Sequence, residues 1–520
     1  MTSLVEPHST RNPNAIHDIM STTSSGLPAA LPFVSLLVSL YALEFCALIM
    51  AMAVYKIGDK PFLDFLPSHA GFVLLVALIG LVISTIVFAY LFRNAFRSEP
   101  KRVLLTLVLN FGSVVLVFCV AEIVTRLFTV RTIAGPMFAN TILLPRSWES
   151  VAAHNRAVLA KASAHGSYLV YDKELGWTIG SNEHSKDYNR QYVRQILSMR
   201  QSRFPKKIVD YEEEFERVKS DSEEDIYLSS VEGIRSPRVG MAFSAASALH
   251  RIAIVGDSFT FGLEVRYEET WGHQLEVALG HDYQVLNFGV DGYGVDQAYL
   301  RYERDVLPWK PDIVILGLIN DDVRRTMGVY GFLTFPGAEI PFPKPRFVMK
   351  GQKLSLLNLP LPTPESIFTK QSITELPFVE YDGSFQRTEW ESRFYHYSYS
   401  IRFLLSKYPR WPLPQPTVTD GALKSVNGEI LRSFVRLARE RGSTLMVVYF
   451  PARSDFVGPQ VGWTVAREVF QTYGIPYLDM TTCVSKVRPP QRFVTLHYSP
   501  VTNAAIARCL RDAILETSGS

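Results

Sequence analysis

Arg251-Ile-Ala-Ile-Val-Gly-Asp-Ser-Phe-Thr-Phe-Gly262 decides the fold of the larger part of this chain. The apolar β-type run Ile252–Val255 stops abruptly at Gly256-Asp257-Ser258, which places a hydroxyl where a buried strand opens into a loop. Open α/β sheets carry their chemistry there, outside the carboxyl ends of the strands. Gly-Asp-Ser also makes an ordinary turn, so its weight depends on the sequence downstream.

The downstream pattern is regular. Residues 268–279 read as a helix with Trp271, Leu275, Ala278 and Leu279 on one face. Residues 284–288 read as a strand, 295–307 as a helix and 312–318 as an almost wholly apolar strand. The pattern resumes with a strand over 444–450, a helix near 464–472, a strand over 475–478 and a terminal helix from Pro500. Ser499-Pro500 supplies a capping hydroxyl followed by proline at the first helical position. Continuous apolar strands alternating with helices predict an α/β domain over 251–520 whose parallel sheet is covered on both faces. A proline- and ring-rich insertion at about 324–430 interrupts it. This insertion contains a hairpin-like stretch, 344–362, around Lys350-Gly351, and the dense ring cluster Phe394-Tyr-His-Tyr-Ser-Tyr399. At the strand-end face it would serve as a cap shaping a pocket, or equally as a structural addition or partner surface.

Upstream, 129–250 reads as an irregular lead-in region. Its stretch 187–225 is strongly charged, and only Tyr171-Asp-Lys-Glu-Leu-Gly-Trp177 and Glu232-Gly-Ile-Arg235 have motif character. Before it lie a polar tail, 1–30, and three apolar runs at about 31–55, 70–92 and 103–128. Each is near the roughly 20 residues that cross a bilayer as helix. Arg93, Arg97, Lys101 and Arg102 separate the second run from the third, which favours a cytoplasmic connector and N-terminus and an extracytoplasmic C-terminal part. The expected location is the inner membrane. Glu44 and Glu122 fall within the runs, where charge is costly and a functional or partner-facing role is the default reading. Net charge is only +3 over 520 residues, so no bulk electrostatics favours nucleic acid. The four cysteines fit no metal spacing; Cys483 and Cys509 fall in the exported part, where oxidation is permitted.

Four segments match the needs of acyl transfer: a nucleophile, a base and donors for an oxyanion. Ser258 is the nucleophile exposed by the turn. Gly292, in Asn287-Phe-Gly-Val-Asp-Gly-Tyr-Gly294, lets a backbone N–H approach a reacting centre. Asn320 follows another strand and brings an amide donor, and His497, just before the terminal helix, is the base. Each has an ordinary structural reading taken alone; their joint appearance at strand ends is what points to chemistry.

These four blocks resemble those of the SGNH (GDSL-type) hydrolases. Glu174-Leu-Gly-Trp177, Glu232-Gly-Ile-Arg235 and Asn287–Gln297 are similar to segments of that family's membrane-anchored bacterial branch. The resemblance covers about 170 to 520. It implies a flavodoxin-like three-layer α/β/α fold, with an oxyanion hole made of the N–H groups of Ser258 and Gly292 and the Asn320 amide. The Gly-x-Ser-x-Gly elbow of the competing α/β-hydrolase fold is absent around Ser258. One departure stands out. The family's aspartate before the histidine is replaced by Val494 and Thr495. Three outcomes stay open: a carbonyl or hydroxyl orients His497, an acid arrives from elsewhere with Asp479 as first candidate, or activity is weak or lost.

The expectation is therefore a membrane-anchored serine esterase removing O-acyl groups from a glycan or lipid at the outer membrane face, with no metal or organic cofactor. Two alternatives accompany it: an O-acyltransferase acting on an exported polysaccharide, and a non-catalytic scaffold of an envelope assembly complex whose partners contact the spanning helices.

Overall fold

The chain forms two units, Met1–Thr129 with Tyr395–Pro414 and Val130–Phe394 with Gln415–Ser520. The computed structural model describes residues 26–57, 69–132, 135–139, 141–186, 225–244, 250–335, 338–407, 420–456 and 464–518. Most of the expected polar tail (1–25) and of the charged stretch (187–224) lies outside the described residues.

The first unit contains α1 (Gly26–Ile57), α2 (His69–Ser98) and α3 (Pro100–Leu127). Their apolar windows, Leu31–Ala51, Phe72–Ser98 and Pro100–Leu127, have mean hydropathies of 2.2, 2.9 and 2.6. Large apolar side chains such as Phe72, Ile86, Phe111 and Leu116 point outward, the reverse of a bundle that hides such groups from water. Each helix is long enough to cross a bilayer. The basic connector expected between the second and third runs is a single residue, Glu99. Arg93 and Arg97 ride on the end of α2, and Lys101 and Arg102 on the first turn of α3, because the helical geometry continues into the charged sequence at both ends. Glu44 is half-buried in α1, whereas Glu122 sits near the end of α3 and accepts hydrogen bonds from the segment Ser398–Ser400.

The second unit is built on five parallel strands: β1 (His250–Gly256), β2 (Tyr283–Asn287), β3 (Ile313–Leu318), β4 (Thr444–Tyr449) and β5 (Tyr477–Asp479). Their order is β2-β1-β3-β4-β5, the flavodoxin-like order with its switch point beside β1. In register, Ile252 lies opposite both Ile313 and Val285. Alternation along the strands sends Ala253, Val255, Val314 and Leu316 into one core and Ile252, Ile254, Ile315 and Val448 into the other. The first core is closed by α6 (Val295–Arg301), α8 (Asp420–Glu440) and α9 (Val465–Tyr473), the second by α5 (Trp271–Leu279) and α10 (Pro500–Ser518). Two short helices, α4 (Ser258–Phe261) and α7 (Asn320–Arg325), start directly after β1 and β3. The result is three layers, α/β/α.

Two parts differ from the sequence reading. The insertion expected at 324–430 ends earlier, because α8 begins at Asp420 and packs Val426, Ile430, Leu431 and Phe434 into the sheet's core. The described residues of 129–250 are less irregular than expected. The strands Leu169–Asp172 and Gly176–Ile179 form a hairpin, and Trp177, Tyr227 and Ile179 share a core with Phe261, Val290 and Tyr293. These strands are too short to show a period in sequence. The expected hairpin around Gly351 is present as Phe347–Lys350 paired with Lys353–Leu356. Cys483 and Cys509 are disulfide-bonded, with Cα atoms 6.6 Å apart, joining the short helix Thr481–Ser485 after β5 to α10.

Candidate active site

The end of β1 is shaped by Gly256. Its φ of +153° and the Gly317 carbonyl, 2.2 Å from where a Cβ would sit, leave room for no side chain. The strand therefore turns sharply. Asp257 caps α4 by accepting the Phe259 N–H at 2.9 Å, and Ser258 becomes the first residue of that helix. The residue is 3% exposed, and its hydroxyl lies 2.9 Å from Nε2 of His497. The histidine comes from the other end of the chain, held in a loop where Val494 N–H bonds the His497 carbonyl and the Phe259 ring packs 4.9 Å from the imidazole.

Behind the imidazole stands Glu264. Its Oε1 is 3.2 Å from His497 Nδ1, an ion-pair distance. The same carboxylate accepts the backbone N–H groups of Thr495 (2.9 Å), Leu496 (3.2 Å) and His497 (3.2 Å), and the Thr495 hydroxyl. The absent aspartate is thus replaced by an acid that also fastens the histidine loop. Burial opposes ionisation of Glu264, yet the charge and hydrogen bonding of His497, with the bonds from Thr495, hold its carboxyl below the usual range. Burial likewise disfavours the imidazolium, and Glu264, with smaller help from Asp291 and Asp257, lifts His497 above its ordinary value. Glu264 has a left-handed backbone, φ 71°, an uncommon conformation for a side chain of this kind that marks a constrained position.

The Ser258 and Gly292 N–H groups and the Asn320 amide are the donors expected for a developing oxyanion. Gly292 has φ +76°, with Phe335 and Ile340 3.2 and 3.3 Å from a notional Cβ. Neither the Ser258 nor the Gly292 N–H donates to another described group. Asn320 opens α7, and its Oδ1 accepts the Ala466 N–H at 3.2 Å. That contact fixes the amide so that Nδ2 is the end left to donate. The three strand-end loops are tied together by Arg325, whose Nη1 reaches Asp257 Oδ2 (3.3 Å), the Tyr293 carbonyl (3.1 Å) and Asp322. Burial, together with the neighbouring Asp257 charge, pushes Asp322 well above the carboxylate range. The loop that carries Gly292 is also pinned by the hairpin upstream: Trp177 Nε1 donates to the Asp291 carbonyl (2.9 Å), Tyr293 Oη to the Trp177 carbonyl (2.6 Å), and Gln297 Nε2 to the Leu175 carbonyl (2.8 Å).

Ser258 and His497 are in direct contact, while Gly292 and Asn320 stand at the ends of the two strands flanking β1. These residues form one cluster at the carboxyl-end face of the sheet. Asp479, the candidate orienting acid, is not part of it: its carboxylate pairs with Arg467 at 2.8 Å and accepts the Thr481 N–H. Glu264 and Arg325 escaped the sequence reading, and Trp177, within a segment that it singled out, was given no role there. The signal available for Glu264 was an acid between two apolar residues, Leu263 and Val265, six positions after the serine. Among the described residues no group of three or more His, Cys, Asp or Glu side chains gathers to hold a metal ion.

The chain is 34% identical over 89 residues to an acetylxylan esterase of Xylanibacter ruminicola, a match covering 16% of this chain and 18% of the esterase. No family model matches the chain. Among solved structures, a carbohydrate acetylesterase from Sinorhizobium meliloti aligns with 52% of this chain and 99% of its own, at 10% identity and TM-score 0.26. A lipase/acylhydrolase from Enterococcus faecalis aligns with 51% of this chain and 97% of its own, at 14% identity and TM-score 0.26.

Proposed function

We propose that the protein is a membrane-anchored serine esterase that removes O-acyl groups from a glycan or lipid at the outer face of the membrane. One observation carries this reading: the Ser258 hydroxyl lies 2.9 Å from His497 Nε2, with the buried Glu264 carboxylate behind Nδ1. Ser258 Oγ attacks the ester carbonyl carbon as Nε2 takes its proton. The oxyanion is stabilised by the Ser258 and Gly292 N–H groups and Asn320 Nδ2. Collapse expels the alcohol, which leaves with the proton from Nε2, and an acyl-Ser258 remains. Water then attacks that ester and gives its proton to Nε2; the acid departs and the hydroxyl is restored. Glu264 stabilises the imidazolium in both halves.

The similarity to an acetylxylan esterase supports acetyl as the first acyl group to test. The disulfide Cys483–Cys509 and the basic α2–α3 junction support an extracytoplasmic catalytic unit and a cytoplasmic N-terminus. The scaffold reading loses its main motive, since a carboxylate does face His497.

The test is fluorophosphonate labelling of the full chain in detergent, followed by acetate release from acetylated xylo-oligosaccharide. Labelling that disappears in both Ser258→Ala and His497→Ala is the expected result. A folded wild type that takes up no probe would overturn the proposal, and acetyl appearing on a sugar acceptor in place of free acetate would turn it into a transferase.

A further inference from the structure

Glu122 is an acid near the end of an apolar helix, and the catalytic arrangement makes no use of it. Its carboxylate accepts from Ser398 Oγ (2.8 Å), Tyr399 N–H (2.9 Å) and Ser400 N–H (2.9 Å). These groups open the helix Tyr399–Lys407, so an acid of α3 caps a helix that lies some 270 residues later in the chain. Arg126 reinforces the joint: it pairs with Glu122, donates to the Tyr397 carbonyl at 2.6 Å and stacks its guanidinium 4.7 Å from the Tyr399 ring. Ser400 is buried beside Thr125.

Glu122 lies five residues before the last residue of α3, about 7 Å along the axis. A segment clamped there is held at the depth of a bilayer's headgroup–acyl boundary. Its outward side suits that place. Tyr397 and Leu404 are 83% and 52% exposed, and they continue the exposed apolar end of α3 at Ile123, Leu127 and Phe128. Arg402 and Lys407 stand on the same short helix, next to Tyr399 and Phe403. Exposed rings and leucine with flanking cations form the pattern of a helix lying in a membrane interface.

We infer that residues 395–407 are an interfacial membrane anchor, seated in the lipid headgroup region at the C-terminal end of α3 and fixed there by Glu122. The chain therefore leaves the second unit after Phe394 and reaches the bilayer a second time. This rests on the membrane reading of α1–α3, and the experiment separates the two.

The full chain, with Cys46 and Cys119 replaced by Ser, is reconstituted in phosphatidylcholine–phosphatidylglycerol liposomes. Cysteines carrying an environment-sensitive dye are placed singly by Leu404→Cys, Phe111→Cys and Leu515→Cys. Nitroxide lipids labelled at shallow or deep acyl carbons serve as quenchers, and fluorophosphonate labelling of Ser258 confirms that each variant is folded. The expected result is at least threefold stronger shallow quenching at 404 than at 515, deep quenching at 111, and loss of most quenching at 404 when Glu122→Gln is added. Quenching at 111 with none above the 515 level at 404 overturns the anchor alone. No quenching at 111 overturns the membrane reading and the anchor with it.

Discussion

Replacing Glu264 by Gln isolates the one positioning group of the proposed machinery that stands outside the four sequence blocks. Nδ1 of His497 is 3.2 Å from Oε1, and both side chains are buried. At that distance and an effective dielectric of about 20, an imidazolium and a carboxylate attract by about 5 kcal/mol. Each 1.4 kcal/mol or so is tenfold in rate, and an amide retains part of the interaction, so kcat for a soluble acetyl ester is expected to fall about 10³-fold. The pH profile supplies the second readout. Catalysis needs neutral His497, and Glu264 raises the pH at which the ring loses its proton above the ordinary value of 6.5. The acid limb of kcat/KM in the wild type should therefore lie above 6.5, and in Glu264→Gln it should move to lower pH, because burial then meets far less opposition. The same pair links pH to stability with opposite signs. The raised His497 contributes below its unfolded value and loses that contribution as pH rises through its folded one. The lowered Glu264 contributes above its unfolded value and loses it in acid. A variant with less than a tenfold loss in kcat and an unmoved acid limb would refute the reasoning, since among the described residues no other acid pairs with Nδ1.

Asp479→Asn should leave kcat within about twofold and cost no more than about 1 kcal/mol in chemical denaturation, because its partner Arg467 lies in a partly solvated pair. Trp177→Phe removes the indole donor to the Asp291 carbonyl; with a hydrogen bond of about 0.5–1.5 kcal/mol lost from the loop, kcat should drop up to about tenfold while KM changes little. Arg325→Met leaves Asp257 and Asp322 buried without their cation and should destabilise by about 3–5 kcal/mol, read as a lower urea midpoint. A wild-type midpoint in that variant would mean that Arg325 does not tie the loops together.

The parts legible in sequence were those written as local pattern. Five apolar strands, the sharp stop at Gly256 and the glycine at 292 each state their own geometry, because a buried parallel strand and a left-handed turn leave a signature within a few residues. Helix α8 was absorbed into the insertion because proline- and ring-rich sequence precedes it without a sharp boundary, although its own apolar stripe is strong. Glu264 could not be found by looking near the histidine. Its side chain reaches His497 only because the backbone turns left-handed at that residue and the 494–497 loop folds back over it, and neither is a property of adjacent residues. Glu122 is the inverse case. Sequence marked it as costly at its depth, but only the fold shows the cost being offset, by the three donors opening a helix far along the chain. In both cases a lone acid in apolar sequence was the visible sign and the partner was non-local. The same test applies to Glu44, half-buried and the other acid within the spans: a donor on another helix would offset the cost of its carboxylate there.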